Sequence, residues 1–421
     1  MIVLFNFNSY LGGGETLFVR MANYLEKKRE DYFLFFLKGG YIEKDLERTG
    51  IPKQKCHAIV QGVDYYYLRT SERDSLLDEI KNVLPKREVY YLVSFCSRDL
   101  YTVCALNNRC DRFRIGHLIL HDQDNLYLCQ TLFDKFLFKY FNKRRFSSKR
   151  MIAFNIKLYT ELSEKYSLVP QSDIQVKLWG QRYGIPLDYE KVVPLPTYDF
   201  STSKDPIITD RTEEKKIIWI GRFVDFKLPA LCAMLNFVSN HADYSLTIVG
   251  KGDEKFVKNY ISQNNIDTNR VSFIGEIPYG ELGEIIRKHT VGYAMGTSIV
   301  EIGKYGVPVI MALGSPSAHI FKYDICGGVY FDVDKGNVGD NLYYDNNEDL
   351  QPRIEDAIEI IQNDYVNVSN KCYNFMKESF DLSKNIDLYI KFLTQERGHF
   401  KIESSLPKCS QLRRFLYYKI K

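Results

Sequence analysis

The sequence predicts an α/β protein made of two consecutive Rossmann-like domains, each with its own parallel sheet. The chain has 421 residues, a length at which one hydrophobic core usually divides into two domains. Short apolar runs alternate with amphipathic stretches along most of the chain, which is typical of βαβ units. A proline-rich stretch at 185–210 separates two such series.

The first series begins with a predicted strand at 2–7, rich in β-branched and aromatic residues. The helix after it places Leu17, Phe18, Met21 and Leu25 at spacings of three and four residues, the period of an amphipathic helix. The other predicted elements are strands at 32–37, 57–60, 89–95 and 113–120 and helices around 72–84 and 131–145. Apolar runs between helices indicate a parallel sheet that is covered on both faces.

The stretch at 185–210 contains Pro186, Pro194, Pro196 and Pro206, as expected of an interdomain linker. A second series then predicts strands at 216–220, 245–249, 271–274, 291–294 and 307–311, with helices between them. The predicted division is an amino-terminal domain at 1–190, a linker at 191–212, a carboxyl-terminal domain at 213–385 and a basic helical tail at 386–421.

The composition excludes several classes of protein. A net charge of +4 gives no reason to expect nucleic acid as a partner. The nine cysteines form no CxxC pair and no Cys/His cluster with zinc spacing, which favours a reducing compartment. No basic segment precedes the first apolar run, and no apolar run is long enough to span a bilayer. We therefore expect a cytoplasmic or peripheral protein.

Ligands of parallel sheets bind beyond the carboxyl ends of the strands, so the turns there are the candidate site. The turn that contains Gly13 and Gly14 opens the first helix, where free N–H groups favour an anion. A simple tight turn explains these glycines equally well. Arg222 and Lys227 follow the strand at 216–220, and a diphosphate is well matched by a guanidinium paired with an ammonium. A solvated basic loop is the alternative.

Two later turns have the same character. Gly250 and Gly252 follow the strand at 245–249. After the strand at 291–294, the residues Gly296, Thr297 and Ser298 can begin a helix whose N–H groups face a phosphate. Glu301, one turn later, can accept hydrogen bonds from a ribose diol.

The order of these turns resembles the retaining GT-B glycosyltransferases of family 4, the glycogen-synthase-like group that includes bacterial surface-polysaccharide enzymes. The carboxyl half of that family runs G-R-x-x-x-x-K, I-V-G-x-G, V-x-F-x-G, E-x7-E and G-x-P-V. The matching residues here are Gly221, Arg222, Lys227, Ile248, Val249, Gly250, Gly252, Val271, Phe273, Gly275, Glu301, Gly306, Pro308 and Val309. The resemblance covers 1–390 in outline and is specific between 216 and 311.

The resemblance implies the GT-B fold, with two Rossmann-like domains facing each other across a cleft and a C-terminal helical extension. It implies a hexosyltransferase-like enzyme that retains configuration, uses a nucleotide-diphosphate sugar as co-substrate and has no resident cofactor or metal. Arg222 and Lys227 would bind the donor diphosphate, and Glu301 would bind the nucleotide ribose. Gly13 and Gly14 would let the amino-terminal domain close over the phosphates and sugar.

One position departs from the family pattern. The first Glu of E-x7-E, which reaches the transferred sugar in that family, falls on Tyr293. This departure supports an alternative, a catalytically inactive GT-B accessory subunit that binds a nucleotide or sugar. The joint presence of Arg222, Lys227 and Glu301 favours the enzyme. A nucleotide-sugar epimerase of the same architecture would need a carboxylate and histidine set that the sequence does not show.

His121 follows the strand at 113–120 beside several polar residues. Family members commonly carry a histidine near this point that contacts the donor sugar or acceptor, so we expect a catalytic role; a structural histidine is the alternative. The Asp-x-Asp triplets at 122–124 and 332–334 lie outside the diphosphate turns. Solvated carboxylates, and no metal, are therefore expected.

Two basic segments, 135–150 and 412–419, interleave cations with aromatic residues. Such stretches can lie on an anionic membrane surface, although a packed helix with a solvated basic face fits equally well. They favour peripheral membrane contact and a lipid-linked glycan acceptor, as in the synthesis of lipopolysaccharide O-antigen or capsule at the inner face of the cell membrane.

Overall fold

The computed structural model describes residues 1–9, 12–60, 64–120, 149–202, 204–315, 320–339, 348–395, 398–411 and 414. The chain forms two compact units. Unit 1 contains Met1–Val193 together with Ile386–Lys421, and unit 2 contains Pro194–Asn385. His121, the predicted helix around 131–145, the triplet at 122–124 and most of the segment 412–419 lie outside the described residues.

Unit 1 contains a parallel sheet of six strands in the order β3-β2-β1-β4-β5-β6. The strands are β1 Ile2–Asn6, β2 Tyr32–Leu37, β3 Cys56–Ile59, β4 Tyr90–Ser94, β5 Phe113–Ile119 and β6 Leu168–Pro170. All five residues of β1 are buried, as the apolar run predicts for a strand with helices on both faces.

Helices connect the parallel strands of unit 1, and a further helix follows β6. They are α1 Gly13–Lys27, α2 Tyr41–Thr49, α3 Thr70–Val83, α4 Ser97–Asn107, α5 Lys149–Glu164 and α6 Asp173–Tyr183. The predicted apolar face of α1 is confirmed, because Leu17, Phe18, Met21 and Leu25 are all buried. Of the basic segment 412–419, Arg414 is described, and its Nε donates to the Tyr67 carbonyl oxygen at 2.8 Å.

Unit 2 contains a parallel sheet of five strands in the order β11-β10-β7-β8-β9. The strands are β7 Lys216–Ile220, β8 Ser245–Val249, β9 Val271–Gly275, β10 Val291–Ala294 and β11 Val309–Met311. The helices are α7 Leu228–Asn240, α8 Glu254–Gln263, α9 Tyr279–Ile286, α10 Thr297–Gly303, α11 Ile354–Asn363 and α12 Tyr365–Phe380. These elements confirm the predicted α/β class with two parallel sheets.

The last described helix, α13 Leu382–Thr394, contains the boundary at which the chain passes from unit 2 back to unit 1. Within unit 1, Leu393 packs against β5 at Gly116, where an added Cβ would lie 2.4 Å from a Leu393 methyl carbon. The Tyr389 hydroxyl donates to the Val193 carbonyl oxygen at 3.0 Å. The carboxyl-terminal segment from Ile386 is therefore part of unit 1.

Strand order identifies the switch point of each sheet, the place at which the chain stops adding strands on one side and begins to add them on the other. In unit 2 the chain builds outward from β7 through β8 to β9 on one side, and from β10 to β11 on the other. The turns after β7 and β10 therefore flank a crevice at the carboxyl edge, the usual ligand position in such sheets. In unit 1 the corresponding crevice lies between the turns after β1 and β4.

Candidate functional site

The turn between β7 and α7 carries both predicted diphosphate-binding cations. Arg222 lies two residues after β7 and is exposed. Its side chain makes no hydrogen bond or ion pair with any other residue of the described chain. Lys227 stands at the amino cap of α7, and its Nζ lies 5.9 Å from the centroid of the Phe226 ring. The structure thus places both cations beside the switch point of unit 2.

Backbone hydrogen bonds hold this turn against its neighbours. The Gly221 N–H donates to the Val249 carbonyl oxygen at 3.0 Å, and the Phe223 N–H donates to the Lys251 carbonyl oxygen at 2.9 Å. The Phe226 carbonyl oxygen accepts from the Ser315 N–H at 2.9 Å. The backbone of the turn is therefore positioned by the turns after β8 and β11, while the Arg222 side chain stays at the surface.

Gly250 and Gly252 have a packing role in this arrangement. Their φ angles are +141° and +145°, a range that L-residues rarely adopt. A Cβ at Gly250 would overlap the Gly221 carbonyl oxygen, and one at Gly252 would overlap the Phe223 carbonyl oxygen. Glycine is thus required at both positions for the backbone of the turn after β8 to meet the backbone of the turn after β7. A direct donor-binding role for these glycines stays a prediction.

The turn after β10 leads directly into α10. Gly296 caps this helix, and its N–H donates to the Val338 carbonyl oxygen at 2.8 Å. Thr297 and Ser298 are the first two residues of α10; Thr297 is exposed and Ser298 is half-buried. These three residues lie on the opposite side of the switch point from Arg222, so the structure brings the predicted phosphate-binding turns to one edge of one sheet.

Glu301 lies in the second turn of α10 and forms an ion pair with Lys304. The Glu301 side chain is 16% exposed, whereas the Lys304 side chain is 3% exposed. The i, i+3 spacing of the two residues is a sequence signal for such a pair, but the burial of the lysine depends on the tertiary structure.

Tyr293 lies in β10 and is completely buried. Its ring centroid is 5.7 Å from that of Trp219, and its hydroxyl donates to the Ile325 carbonyl oxygen at 3.5 Å. Burial raises the pKa of Tyr293 well above its ordinary value. The position that counting assigns to the first family glutamate is therefore a core position, so the side chain at this position has no access to a sugar.

In unit 1, Gly13 and Gly14 begin α1 at the switch point. A Cβ at Gly13 would meet no atom within 4 Å, and one at Gly14 would lie 3.1 Å from a Leu120 methyl carbon. Glu15 follows and is buried; its Oε1 accepts a hydrogen bond from Asn8 Nδ2 at 2.6 Å. The role predicted for Gly13 and Gly14 in closure over a donor stays a prediction.

Asp99 is a buried carboxyl group at the same switch point, and the sequence analysis missed it. It is fully buried in α4, and it accepts hydrogen bonds from the Phe7 N–H and the Cys96 thiol, both at 3.0 Å. Burial raises the pKa of Asp99 to about 7, against the lowering effect of these two hydrogen bonds. The polar residues Ser97, Arg98 and Asp99, shortly after β4, are the signal that could have indicated it.

This shift in the pKa of Asp99 predicts a pH-dependent stability. Between pH 4 and 7 the folded chain holds a proton on Asp99 that the unfolded chain releases, so stability falls as pH rises through this window. We expect Asp99→Asn to remove this contribution, which lowers the free energy of unfolding by up to about 1.4 kcal/mol for each pH unit. Urea unfolding of both proteins at pH 5 and pH 7.5 measures it. Equal pH dependence in the two proteins would contradict the assignment.

The described histidine of β5, His117, has a structural role. It is fully buried, its Nδ1 lies 2.8 Å from the Ser94 hydroxyl, and its Nε2 lies 3.4 Å from the Tyr159 hydroxyl. The sequence places His117 four residues before His121, so the regular strand carries it deeper into the sheet. The catalytic role predicted for His121 stays a prediction, because that residue lies outside the described part of the chain.

Asp332 and Asp334 are both exposed. Within the described ranges, no group of three or more His, Cys, Asp or Glu residues is arranged to hold a metal ion. No helix in the part of the chain that the structure describes combines the length and apolarity needed to cross a bilayer.

Comparison with known proteins shows the fold. No protein-family model matches the chain, and no curated protein sequence does. Among solved structures, HepE from Anabaena in complex with UDP and glucose is 12% identical, with a TM-score of 0.58, over 94% of this chain and 99% of that chain. The lipopolysaccharide outer core galactosyltransferase WaaB is 12% identical, with a TM-score of 0.55, over 93% and 99%.

A third similar structure is the pneumococcal O-GlcNAc transferase GtfA in complex with UDP and GlcNAc. It is 9% identical, with a TM-score of 0.53, over 93% of this chain and 98% of that chain. Together these likenesses extend over nearly the whole chain, and they show that it has the two-domain α/β fold called GT-B. The predicted fold class is confirmed.

Proposed function

We propose that the chain is a glycosyltransferase that moves a hexose or related sugar from a nucleoside-diphosphate sugar to a glycan acceptor. One observation carries the proposal. In a chain of GT-B fold, Arg222 and Lys227 lie on a single backbone-anchored turn at the switch point of unit 2, and the guanidinium of Arg222 is exposed.

The proposed roles follow from the chemistry of these groups. Arg222 and Lys227 bind the donor diphosphate and stabilise the charge that develops as it departs. Glu301 accepts a hydrogen bond from the nucleotide ribose. The N–H groups at Thr297 and Ser298 contribute to phosphate binding. If the departing phosphate takes the acceptor's proton on the same face of the sugar, the reaction retains configuration and needs no separate general base.

The similar structures support UDP as the first nucleotide to test, since HepE and GtfA are each described in complex with UDP. WaaB is described as a lipopolysaccharide galactosyltransferase. Together with the basic aromatic segments of this chain, that description supports a lipid-linked acceptor in bacterial surface-polysaccharide synthesis. The proposed location is the cytoplasm, at the inner face of the cell membrane.

The test is a calorimetric titration of the full chain with UDP, GDP and ADP. We expect saturable binding of one nucleotide and weaker binding by Glu301→Gln, which removes the charge of the proposed ribose acceptor. Glu254→Gln, at an exposed position of α8, is the matched control and should bind as the unmodified chain does. Absence of binding by all three nucleotides would contradict the proposal.

An inactive accessory subunit of the same fold is the second candidate, and it is supported by the departure of the sequence from the family pattern at Tyr293. No carboxylate occupies the position that counting assigns to the sugar-binding glutamate, because that position is in the core. The two candidates differ in turnover. The enzyme releases nucleoside diphosphate from the donor sugar, slowly with water and faster with acceptor, whereas the accessory subunit binds the nucleotide without releasing any product.

A further inference from the structure

A cavity of about 720 Å³ lies in unit 2 at the carboxyl-terminal end of α7. Its walls come from the end of α7, the residue after α8, the segment 322–324 and the start of α11. Because α7 begins beside the β7 turn and has 13 residues, its length of roughly 20 Å, at about 1.5 Å per residue, separates this cavity from Lys227. The cavity is therefore at the opposite edge of the sheet from the candidate donor site.

Arg353 lines the cavity with a guanidinium that is held against an aromatic ring. The residue is half-buried, and its Cζ lies 3.9 Å from the centroid of the Tyr323 ring. In the part of the chain that the structure describes, this guanidinium makes no hydrogen bond or ion pair with another residue. Its N–H donors are thus fixed in position by the ring and are available to a molecule in the cavity.

Asp324 supplies a carboxylate to the same cavity. It is half-buried, and its backbone carbonyl oxygen accepts from the Ile354 N–H at 3.0 Å, which joins the segment 322–324 to α11. Burial raises the pKa of Asp324, against the lowering effects of the Asn236 side chain and of the positive charge of Arg353. Among the described residues, no cation forms an ion pair with this carboxylate. The cavity therefore contains a carboxylate and a guanidinium that are not joined to each other.

The charges around the cavity balance. Among the described residues that line it, the cations are Lys322 and Arg353 and the carboxylates are Asp324 and Glu355. A ligand with a net charge of either sign would meet repulsion as well as attraction. The lining also contains three asparagine amides, and an amide both donates and accepts hydrogen bonds, as a hydroxyl group does. The lining is thus complementary to a neutral ligand that has many hydroxyl groups.

We propose that this cavity is a binding site for a neutral oligosaccharide, separate from the donor site. The Asp324 carboxylate accepts hydrogen bonds from sugar hydroxyls, and the Arg353 guanidinium donates to hydroxyl oxygens. The volume lies within the range of about 300–1,000 Å³ that is usual for small-ligand sites. The inference goes beyond the proposed function, because it concerns a different edge of the sheet and needs no nucleotide.

The experiment begins with an array of neutral hexose oligosaccharides and of oligosaccharides that contain uronic acid, probed with the labelled full chain. We expect neutral oligosaccharides to bind. The neutral oligosaccharide with the strongest signal is then titrated in a calorimeter against the unmodified chain and its variants. Binding of acidic oligosaccharides alone, or of none, would overturn the inference.

Asp324→Asn should weaken the titrated oligosaccharide about ten- to a hundredfold, through the loss of hydrogen bonds to a charged acceptor. The variant should fold, because asparagine has nearly the same size and removes a charge that burial disfavours. Asn240→Ala is the second variant. Asn240 is the exposed last residue of α7, so its loss should weaken binding about two- to tenfold and leave folding unchanged.

Two controls locate the bound oligosaccharide. Asp332→Asn removes an exposed carboxylate that does not line the cavity, and it should bind as the unmodified chain does. The double variant Arg222→Ala, Lys227→Ala should also keep oligosaccharide binding. If that double variant loses the oligosaccharide and Asp324→Asn keeps it, the sugar binds at the donor site and the inference is overturned.

The proposed function is judged by a different measurement. Nucleotide binding depends on the β7 turn, so Asp324→Asn should bind the nucleotide with unchanged affinity. Absence of nucleotide binding by the unmodified chain contradicts the proposed function and leaves the oligosaccharide result standing. Absence of oligosaccharide binding, with the nucleotide still bound, overturns this inference alone.

Discussion

Replacing Arg222 and Lys227 together by alanine is expected to abolish measurable binding of a nucleoside diphosphate. Each charge-assisted hydrogen bond to a phosphate contributes roughly 1.5–3 kcal/mol. Their combined loss corresponds to affinity about 10²- to 10⁴-fold weaker. Calorimetric titration of the double variant with the nucleotide that binds the unmodified chain measures the effect.

The double variant should remain folded, because the Arg222 side chain is exposed and the turn is held by backbone hydrogen bonds. Its thermal unfolding midpoint should therefore match that of the unmodified chain. Lys258→Ala, which removes an exposed cation on α8, serves as the binding control. Unchanged nucleotide affinity in a folded double variant would remove the central assignment of the site.

The second large effect concerns stability. Gly250→Ala and Gly252→Ala should each destabilise the chain by about 2–6 kcal/mol, since strain at such a φ angle and overpacking each cost about 1–3 kcal/mol. Both positions have the unfavourable φ angle, and the added Cβ would overlap a carbonyl oxygen of the β7 turn. Urea unfolding measured against the unmodified chain tests this.

Gly280→Ala is the matched control within unit 2. Gly280 lies in the first turn of α9, has no positive φ angle, and a Cβ there would meet no atom within 4 Å. Alanine should be neutral or stabilising at that position, because it reduces the conformational entropy of the unfolded chain. If Gly250→Ala were as well tolerated as Gly280→Ala, the two turns would not meet as the structure describes.

The sequence predicted much of the architecture. A run such as 216–220 is apolar on both faces, and this local pattern is sufficient to indicate a strand covered by helices. One difference is at β11, where the predicted strand began at 307 and the observed strand begins at Val309. Val307 and Pro308 continue the apolar run of the sequence, although the strand itself begins after them. Composition alone does not locate such an end.

The position of the candidate site residues in the fold was also predicted in part, for the same reason. Arg222 and Lys227 are recognised from their place in one short turn after a strand, which is local information. Tyr293 was assigned by counting eight residues back from Glu301, and counting assumes that the loop between the two positions has the family's length. The structure places Tyr293 within β10, so this count does not identify a residue of the site.

The sequence by itself determined the two parallel series of strands, the order of their turns and the cations of the β7 turn, because each depends on neighbours within a few residues. Only the tertiary structure decided which groups meet across long separations. Asp99 lies against the Phe7 N–H, 92 residues away, and Gly250 lies against Gly221. The burial of Lys304 depends on Tyr198, which lies far from it in sequence. Burial and close backbone contact arise when distant segments pack together, and no local pattern encodes them.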